Sequence, residues 1–265
     1  MTKIDPSAVV APGAEIGENV EIGPLCVVGP HVKIGDGTRL IAQCHMRGYT
    51  EVGKNNTFYP FSCMGASGQD FHADDRLVSY VRIGNNNIFR ECSTVHAGTA
   101  EGTETVIGNG CMFMANSHAG HNVRVGNNVI MVNCSSLGGY AEVGDNAILS
   151  AYVAIHQFCK VGRFVMLSAG SVFSKDIPPF MTAEGRNGAL KTVNVIGLER
   201  AGFSRETIHT IRQLHKVFVR SGLNQGNALR EIEATVPQIP EVVEFVQFCR
   251  NSKRGVLCSR DGHRE

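Results

Sequence analysis

Every sixth residue from Ile4 is apolar: Val10, Ile16, Ile22, Val28, Ile34, Leu40, Met46, Val52, Phe58 and Met64. The register breaks, restarts at Ile83, Phe89 and Val95, and breaks again. It then runs from Ile107 through Phe113, Ala119, Val125, Met131, Leu137, Val143, Leu149, Ile155, Val161, Leu167 and Phe173. Glycine often follows the apolar residue, as at Gly17, Gly35, Gly126 and Gly144. A period of six fits neither the 3.6-residue turn of an amphipathic helix nor the alternation of a hairpin sheet. It fits a short parallel strand with one inward side chain and a tight turn. Gly and Asn accept the positive φ that such turns require. Three such faces close a triangular coil of 18 residues, and coils stacked at the strand spacing of roughly 4.8 Å make a prism. The expected fold is mainly β, a parallel β-helix.

Residues 65–82 and 98–106 leave the six-residue register and are expected to loop out of the prism, where rigid scaffolds commonly carry function. After Pro178-Pro179 the pattern turns helical. FSRETIHTIRQLHKVFVRSG has apolar residues at 208, 211, 214 and 218, with Ser204 as a cap and Gly222 as a stop. LNQGNALREIEATV and IPEVVEFVQFCRNS read as two further helices, and 188–199 as an earlier one. The expected division is a β-helix over 1–185 and a helical domain over 186–265.

Composition adds three constraints. Net charge is +1, which argues against general nucleic-acid binding. It is distributed unevenly: residues 1–185 carry 12 Lys+Arg against 16 Asp+Glu, and 186–265 carry 13 against 8. A basic C-terminal region can face an acidic partner. The nine cysteines include no C-x-x-C pair, and Cys26, Cys44, Cys111 and Cys159 share one repeat position that suits a small buried side chain. They read as reduced thiols. The N-terminus has no apolar signal core and no run reaches a membrane span, so a cytoplasmic protein is expected.

The chemistry is found by comparing positions 18 apart. His121 falls in register with Gly139 and Gln157, Asn122 with Tyr140 and Phe158, and Gly120 with Gly138 and His156. The inward residue beside His121 is only Ala119, and bare glycines face it, so a ligand can approach closely. His118 lies three residues earlier, His96 opens the second loop, and Gln69, Asp70 and His72 lie in the first. Two readings stay open on residues alone. His121 can act as a general base beside the Gly139 N–H as oxyanion donor, which suits acyl transfer. Alternatively the histidines can bind zinc, although His-x2-His is an unusual spacing and no carboxylate is placed to complete it. A non-enzymatic scaffold would show regular Thr ladders and no loops.

EIGPLCVVGPHVKIGDGT, GQDFH, the His118/His121 pair, AIHQFCKVG, SKDIPPFMTAEG and VIGLERAGFSRETI occur in this order. Together they resemble the UDP-N-acetylglucosamine O-acyltransferase family of hexapeptide-repeat transferases, which begins lipid A synthesis in Gram-negative bacteria. The resemblance implies a left-handed β-helix and transfer of a 3-hydroxyacyl chain from acyl carrier protein to the sugar 3-position, with no cofactor or metal. It also implies a homotrimer with active sites between subunits. On this resemblance His121 is the base, Gly139 the oxyanion donor, and Asn122 stands beside the base. Asp70 would contact the sugar and Gln69 the acyl hydroxyl. His118, Asn194 and Arg200 would hold the nucleotide, alongside His156 and Gln157. His96 would line the donor site, and Ala169 would limit acyl length. His72 and Tyr140 complete the expected substrate-binding set. Arg212, Lys216 and Arg220, four apart on one helical face, are candidates for the acidic carrier. Four positions depart from the family pattern: Asn122 replaces Asp, Tyr140 replaces His, Ile196 replaces Glu, and Ala201 replaces Arg. They leave open a 3-amino sugar as acceptor, or a related acyl-CoA-dependent transfer.

Overall fold

A computed structural model describes all residues except 72, 73, 75, 186–188 and 259–265. Two-residue strands, each an outward residue followed by an inward one, stack into three parallel sheets that form the faces of a prism. The first face begins at Lys3–Ile4, the second at Val9–Val10 and the third at Glu15–Ile16; the sheets hold eleven, nine and eight strands. Register follows the 18-residue coil, as in the pairs His118↔Ser136 and Ser136↔Ala154.

The inward column is the core. From Ile22 to Phe173 every position of the six-residue repeat is buried. Ile4 is 47% exposed, because the first coil has nothing stacked beneath it. Phe58 and Phe89 stack at 4.8 Å between ring centroids, and Phe113 continues the column at 4.9 Å. A second inward ring takes only small residues, among them the buried Cys26, Cys44, Cys111 and Cys159. All nine cysteines are free thiols.

The turns explain the Asn-rich repeats. Asn19, Asn55, Asn86, Asn128 and Asn146 hold φ between 54° and 59°, a region Asn tolerates better than most residues. The residue just before these left-handed positions has an N–H that the strand ladder does not use. At the edge between the third and first faces, the side chain one coil later accepts it. Lys54 N donates to Asn85 Oδ1, Asn85 N to Asn109 Oδ1, Asn109 N to Asn127 Oδ1 and Asn127 N to Asp145 Oδ1, all at 2.7–2.9 Å. At the other edges Pro6, Pro12, Pro24, Pro30 and Pro60 remove the donor altogether.

The chain leaves the coil between Ala66 and Tyr80 and between His96 and Glu104. Strand persists slightly into both breaks of the repeat; at the start of the first, a register shift between Met64 and Ala66 absorbs the extra residue at Gly65, φ +81°. Four helices follow among the described residues: α1 (Val195–Arg200), α2 (Arg205–Arg220), α3 (Gln225–Thr235) and α4 (Pro240–Arg250). Ser204 caps α2 by accepting from Thr207 N, and Ile208, Ile211, Leu214 and Phe218 are buried as the spacing predicts. The segment 188–199 is not one helix. Ala189–Val193 is a strand, antiparallel to Met181–Glu184, which itself extends the first face. The open edge of that sheet captures a stretch ending in the β-branched pair Thr192-Val193, which helical spacing alone misassigns. No helix among the described residues is long and apolar enough to cross a membrane.

Because Phe89 sits between two stacked rings, Phe89→Ala is expected to lower the unfolding free energy by about 3–5 kcal/mol. Ile4→Ala at the open end should cost under about 1 kcal/mol, and denaturant titration of both variants checks the difference.

Candidate active site

The site lies at the edge between the second and third faces, where His118–Ala119 ends and Gly120-His121-Asn122 turns the corner. Asn122 is in the left-handed region (φ 59°), followed up the edge by Tyr140 (60°) and Phe158 (65°). Tyr140 N donates to His121 O and Phe158 N to Gly139 O, so the three turns stand in one column.

At this edge the spare turn N–H has no side-chain acceptor. Gly139 occupies the same place in its turn as Asn127 and Asp145 do in theirs, but Gln157 one coil later takes no bond from it. Among the described residues the Gly139 N–H has no protein acceptor. The His121 ring lies directly against this glycine: a Cβ built there would meet His121 Nε2 and Cε1 at 2.4 Å. The opposite ring nitrogen, Nδ1, is 3.0 Å from Asn122 Oδ1. That contact makes Nδ1 the protonated nitrogen and leaves the Nε2 lone pair beside a free N–H donor. A proton acceptor and an anion-stabilising donor therefore face the same small space.

Asn122 is 8% exposed and held from the second loop. Its Oδ1 also accepts from Thr99 N (3.1 Å) and Thr99 Oγ1 (3.2 Å), and its own N–H donates to Thr105 Oγ1 at 2.7 Å. The first loop closes the other side: Gly68 packs so tightly that a Cβ would meet Thr99 Cγ2 at 2.6 Å and His121 Cβ at 3.1 Å. Gln69 and Asp70 follow at once, both exposed. His72 lies outside the described residues.

His118 points outward one step before the turn, its Nδ1 2.8 Å from Thr94 Oγ1. Its ring meets that of His96 edge to face at 5.0 Å. His96 is 6% exposed, and its Nδ1 has no hydrogen-bond partner. Burial, reinforced by the charges of His118 and His121, pushes its pKa down to about 4, so it is neutral at pH 7. Burial, with His121 nearby, also lowers the pKa of His118. Tyr140 stacks on Phe158 at 5.0 Å and meets His121 edge-on at 5.3 Å. His156 and Gln157 are exposed higher on the same edge, and Arg254 Nη2 approaches His156 Nδ1 at 3.1 Å. Among the described residues no three His, Cys, Asp or Glu side chains gather to hold a metal.

Other expected residues lie at different edges of the same chain. Ala169 turns the corner between the first and second faces. Asn194 caps α1 through Oδ1 and donates from Nδ2 to Phe164 O, at the corner between the third and first faces; Arg200 ends that helix. Within one chain these residues do not converge on His121. Arg212, Lys216 and Arg220 are exposed on α2 and form no salt bridge among the described residues. Lys216 and Arg220 border a groove of about 380 Å³ floored by Val217 and Val236. Sequence reasoning missed Thr94, Thr99, Thr105, Gly68 and Arg254. The threonines of GTAEGTETV were visible, but no repeat register indicated where they land.

A family model described as UDP N-acetylglucosamine O-acyltransferase, domain 2, matches residues 176–257, and a bacterial transferase hexapeptide model of six repeats matches 1–30 and 104–139. An acyl-[acyl-carrier-protein]–UDP-N-acetylglucosamine O-acyltransferase of Myxococcus xanthus is 41% identical over 97% of this chain and 99% of its own. A solved UDP-N-acetylglucosamine acyltransferase from Bacteroides fragilis is 41% identical with a TM-score of 0.92, covering 96% of this chain and 99% of its own. One from Francisella novicida is 33% identical with a TM-score of 0.94, covering 98% and 95%. These matches carry the left hand of the β-helix as well as its architecture.

The depressed histidines make stability pH-dependent. Above pH 6.5, the ordinary His pKa, both folded and unfolded chains are neutral there. Below it the unfolded chain takes up protons that buried His96 and His118 refuse, so stability falls, by up to about 1.4 kcal/mol per pH unit for each group. For His96 the loss runs down to about pH 4. His96→Gln should flatten the fall in Tm between pH 6.5 and 5; an unchanged slope would contradict this assignment.

Proposed function

The chain belongs to the UDP-N-acetylglucosamine O-acyltransferase family, and on that premise we propose that it moves a 3-hydroxyacyl group from acyl carrier protein to the 3-position of UDP-N-acetylglucosamine, the first step of lipid A synthesis, in the cytoplasm. The observation that supports the reading is the packing of the His121 ring against Gly139, whose N–H has no protein acceptor among the described residues, while the Nδ1–Asn122 contact leaves Nε2 as the acceptor nitrogen.

In the proposed reaction the sugar 3-hydroxyl attacks the thioester carbonyl while Nε2 accepts its proton. The carbonyl oxygen becomes an oxyanion held by the Gly139 N–H. Collapse breaks the C–S bond, and the imidazolium returns the proton to the departing thiolate. No covalent enzyme intermediate forms. Gln69 takes the acyl hydroxyl and Asp70 the sugar, and His96 lines the donor site. His118, His156 and Gln157 contact the nucleotide, with Tyr140 beside them. His72 joins the substrate-binding set.

Asn194, Arg200 and Ala169 stand at the other two edges of the prism, which supports assembly of the complete site between neighbouring chains of a homotrimer. The first face supplies a surface for that assembly: its outward positions Ile88, Met112, Ile130, Ile148 and Met166 stack in register as an apolar stripe. In the trimer Asn194 and Arg200 hold the nucleotide phosphates, and Ala169 sets acyl length.

A second acceptor is favoured by one residue. Asn122 orients His121 but carries no charge to stabilise the imidazolium, and a 3-amino group needs less help from a base. Purified protein given 3-hydroxyacyl carrier protein with UDP-N-acetylglucosamine or its 3-amino analogue tests both. Turnover of the hydroxyl sugar is expected, with His121→Ala lowering kcat at least about 100-fold. Turnover of the amino sugar alone would reassign the acceptor, and none with either would overturn the reading.

Carrier docking has a separate test. Reversing Arg212, Lys216 and Arg220 to Glu should raise the carrier KM about tenfold or more and leave the sugar KM unchanged. An unchanged carrier KM would remove these residues from the interface.

A further inference from the structure

We propose that Thr99 is a positioning residue that selects the tautomer of His121 by fixing which way the Asn122 amide faces. An aspartate at 122 would present either of two equivalent oxygens. An asparagine has one acceptor end and one donor end, so its orientation decides whether His121 Nδ1 meets an oxygen or an NH2 group. Oδ1 faces His121 at 3.0 Å, and the same oxygen takes two bonds from Thr99, one from the backbone N–H and one from Oγ1. A flipped amide would set its NH2 against the Thr99 backbone N–H, which can only donate, in a nearly closed site where unmade bonds are costly; the Thr99 hydroxyl could turn and accept, so the backbone donor is what fixes the amide. The flip would also turn the His121 proton from Nδ1 to Nε2 and remove the acceptor nitrogen beside Gly139.

The excursion of the chain between His96 and Glu104 makes this clamp possible. Up this edge the left-handed residue normally donates its N–H to a carbonyl one coil earlier, as Tyr140 and Phe158 do. Below Asn122 the chain has left the coil. Thr105 Oγ1 replaces the missing carbonyl at 2.7 Å, and Thr99 takes the side chain. Gly68 lies so close to Thr99 and His121 that any side chain there would meet Thr99 Cγ2 and the His121 Cβ, so the first loop walls in both partners. The Asn at 122 and the Thr at 99 therefore form one device.

The kinetic arm of the test rests on the acyl-transfer reading; the spectroscopic arm does not. Long-range proton–nitrogen NMR of labelled protein should show His121 as the Nδ1–H tautomer in the wild type. It should show a mixture of tautomers in Thr99→Pro, which deletes the backbone donor, and the Nδ1–H form in Thr99→Val, which keeps it. In Asn122→Asp the two oxygens are equivalent, so Thr99→Pro in that background should leave the Nδ1–H form intact. With active enzyme, Thr99→Pro should lower kcat about tenfold at unchanged KM, and less than about twofold in the Asn122→Asp background. A wild-type Nδ1–H tautomer that survives Thr99→Pro, or equal losses in both backgrounds, would overturn the proposal. If the wild type transfers no acyl group, the tautomer alone decides it.

Discussion

One donor in each turn governs this molecule. Closing a triangular coil with two-residue strands leaves a backbone N–H at every corner that the strand ladder cannot reach. At the edge between the third and first faces it is absorbed by Asn and Asp side chains from the coil above. Low on the other edges, proline deletes it. At Gly139 it is kept, next to an imidazole, on glycines that leave the backbone bare. The site thus uses one of the turn donors that no side chain engages, within a frame whose buried column from Ile22 to Phe173 keeps it rigid.

Rigidity also explains the division of labour between scaffold and loops. The prism fixes His121 against Gly139 without help, because both belong to consecutive coils. It also places Asn122 beside the imidazole, but the coil below has left the register, so the prism offers nothing to hold the Asn122 amide. The two excursions supply what repetition cannot: Gly68 and Thr99 from outside the repeat, and behind them Gln69 and Asp70. His96, buried under the second loop and neutral at pH 7, puts no like charge beside His121, the proposed base.

Much of this was legible in the chain. The six-residue period located the inward column, and coil arithmetic alone put His121 opposite Gly139 and below Gln157. The cap at Ser204 and the buried face of α2 followed from helical spacing. The strand Ala189–Val193 did not, because its conformation is set by pairing with the edge strand Met181–Glu184, which the six-residue period does not reach. Thr99 was hidden for a related reason: once a segment leaves the register, spacing no longer says where its side chains return. Arg254 reaches His156 from 98 residues away, a contact that only the path of the chain after α4 creates. Asn194 was found as a residue of interest, but not its work as the cap of α1 or its distance from His121 along the prism.

The most direct measurement is a crystal structure of the protein with its acylated UDP-sugar product bound. The account predicts the ester carbonyl oxygen within hydrogen-bond distance of the Gly139 N–H, and the sugar 3-oxygen at His121 Nε2. It also predicts that the pyrophosphate will be approached by Arg200 from a neighbouring chain. A product bound with its ester away from Gly139, or wholly within one chain at another edge, would contradict it.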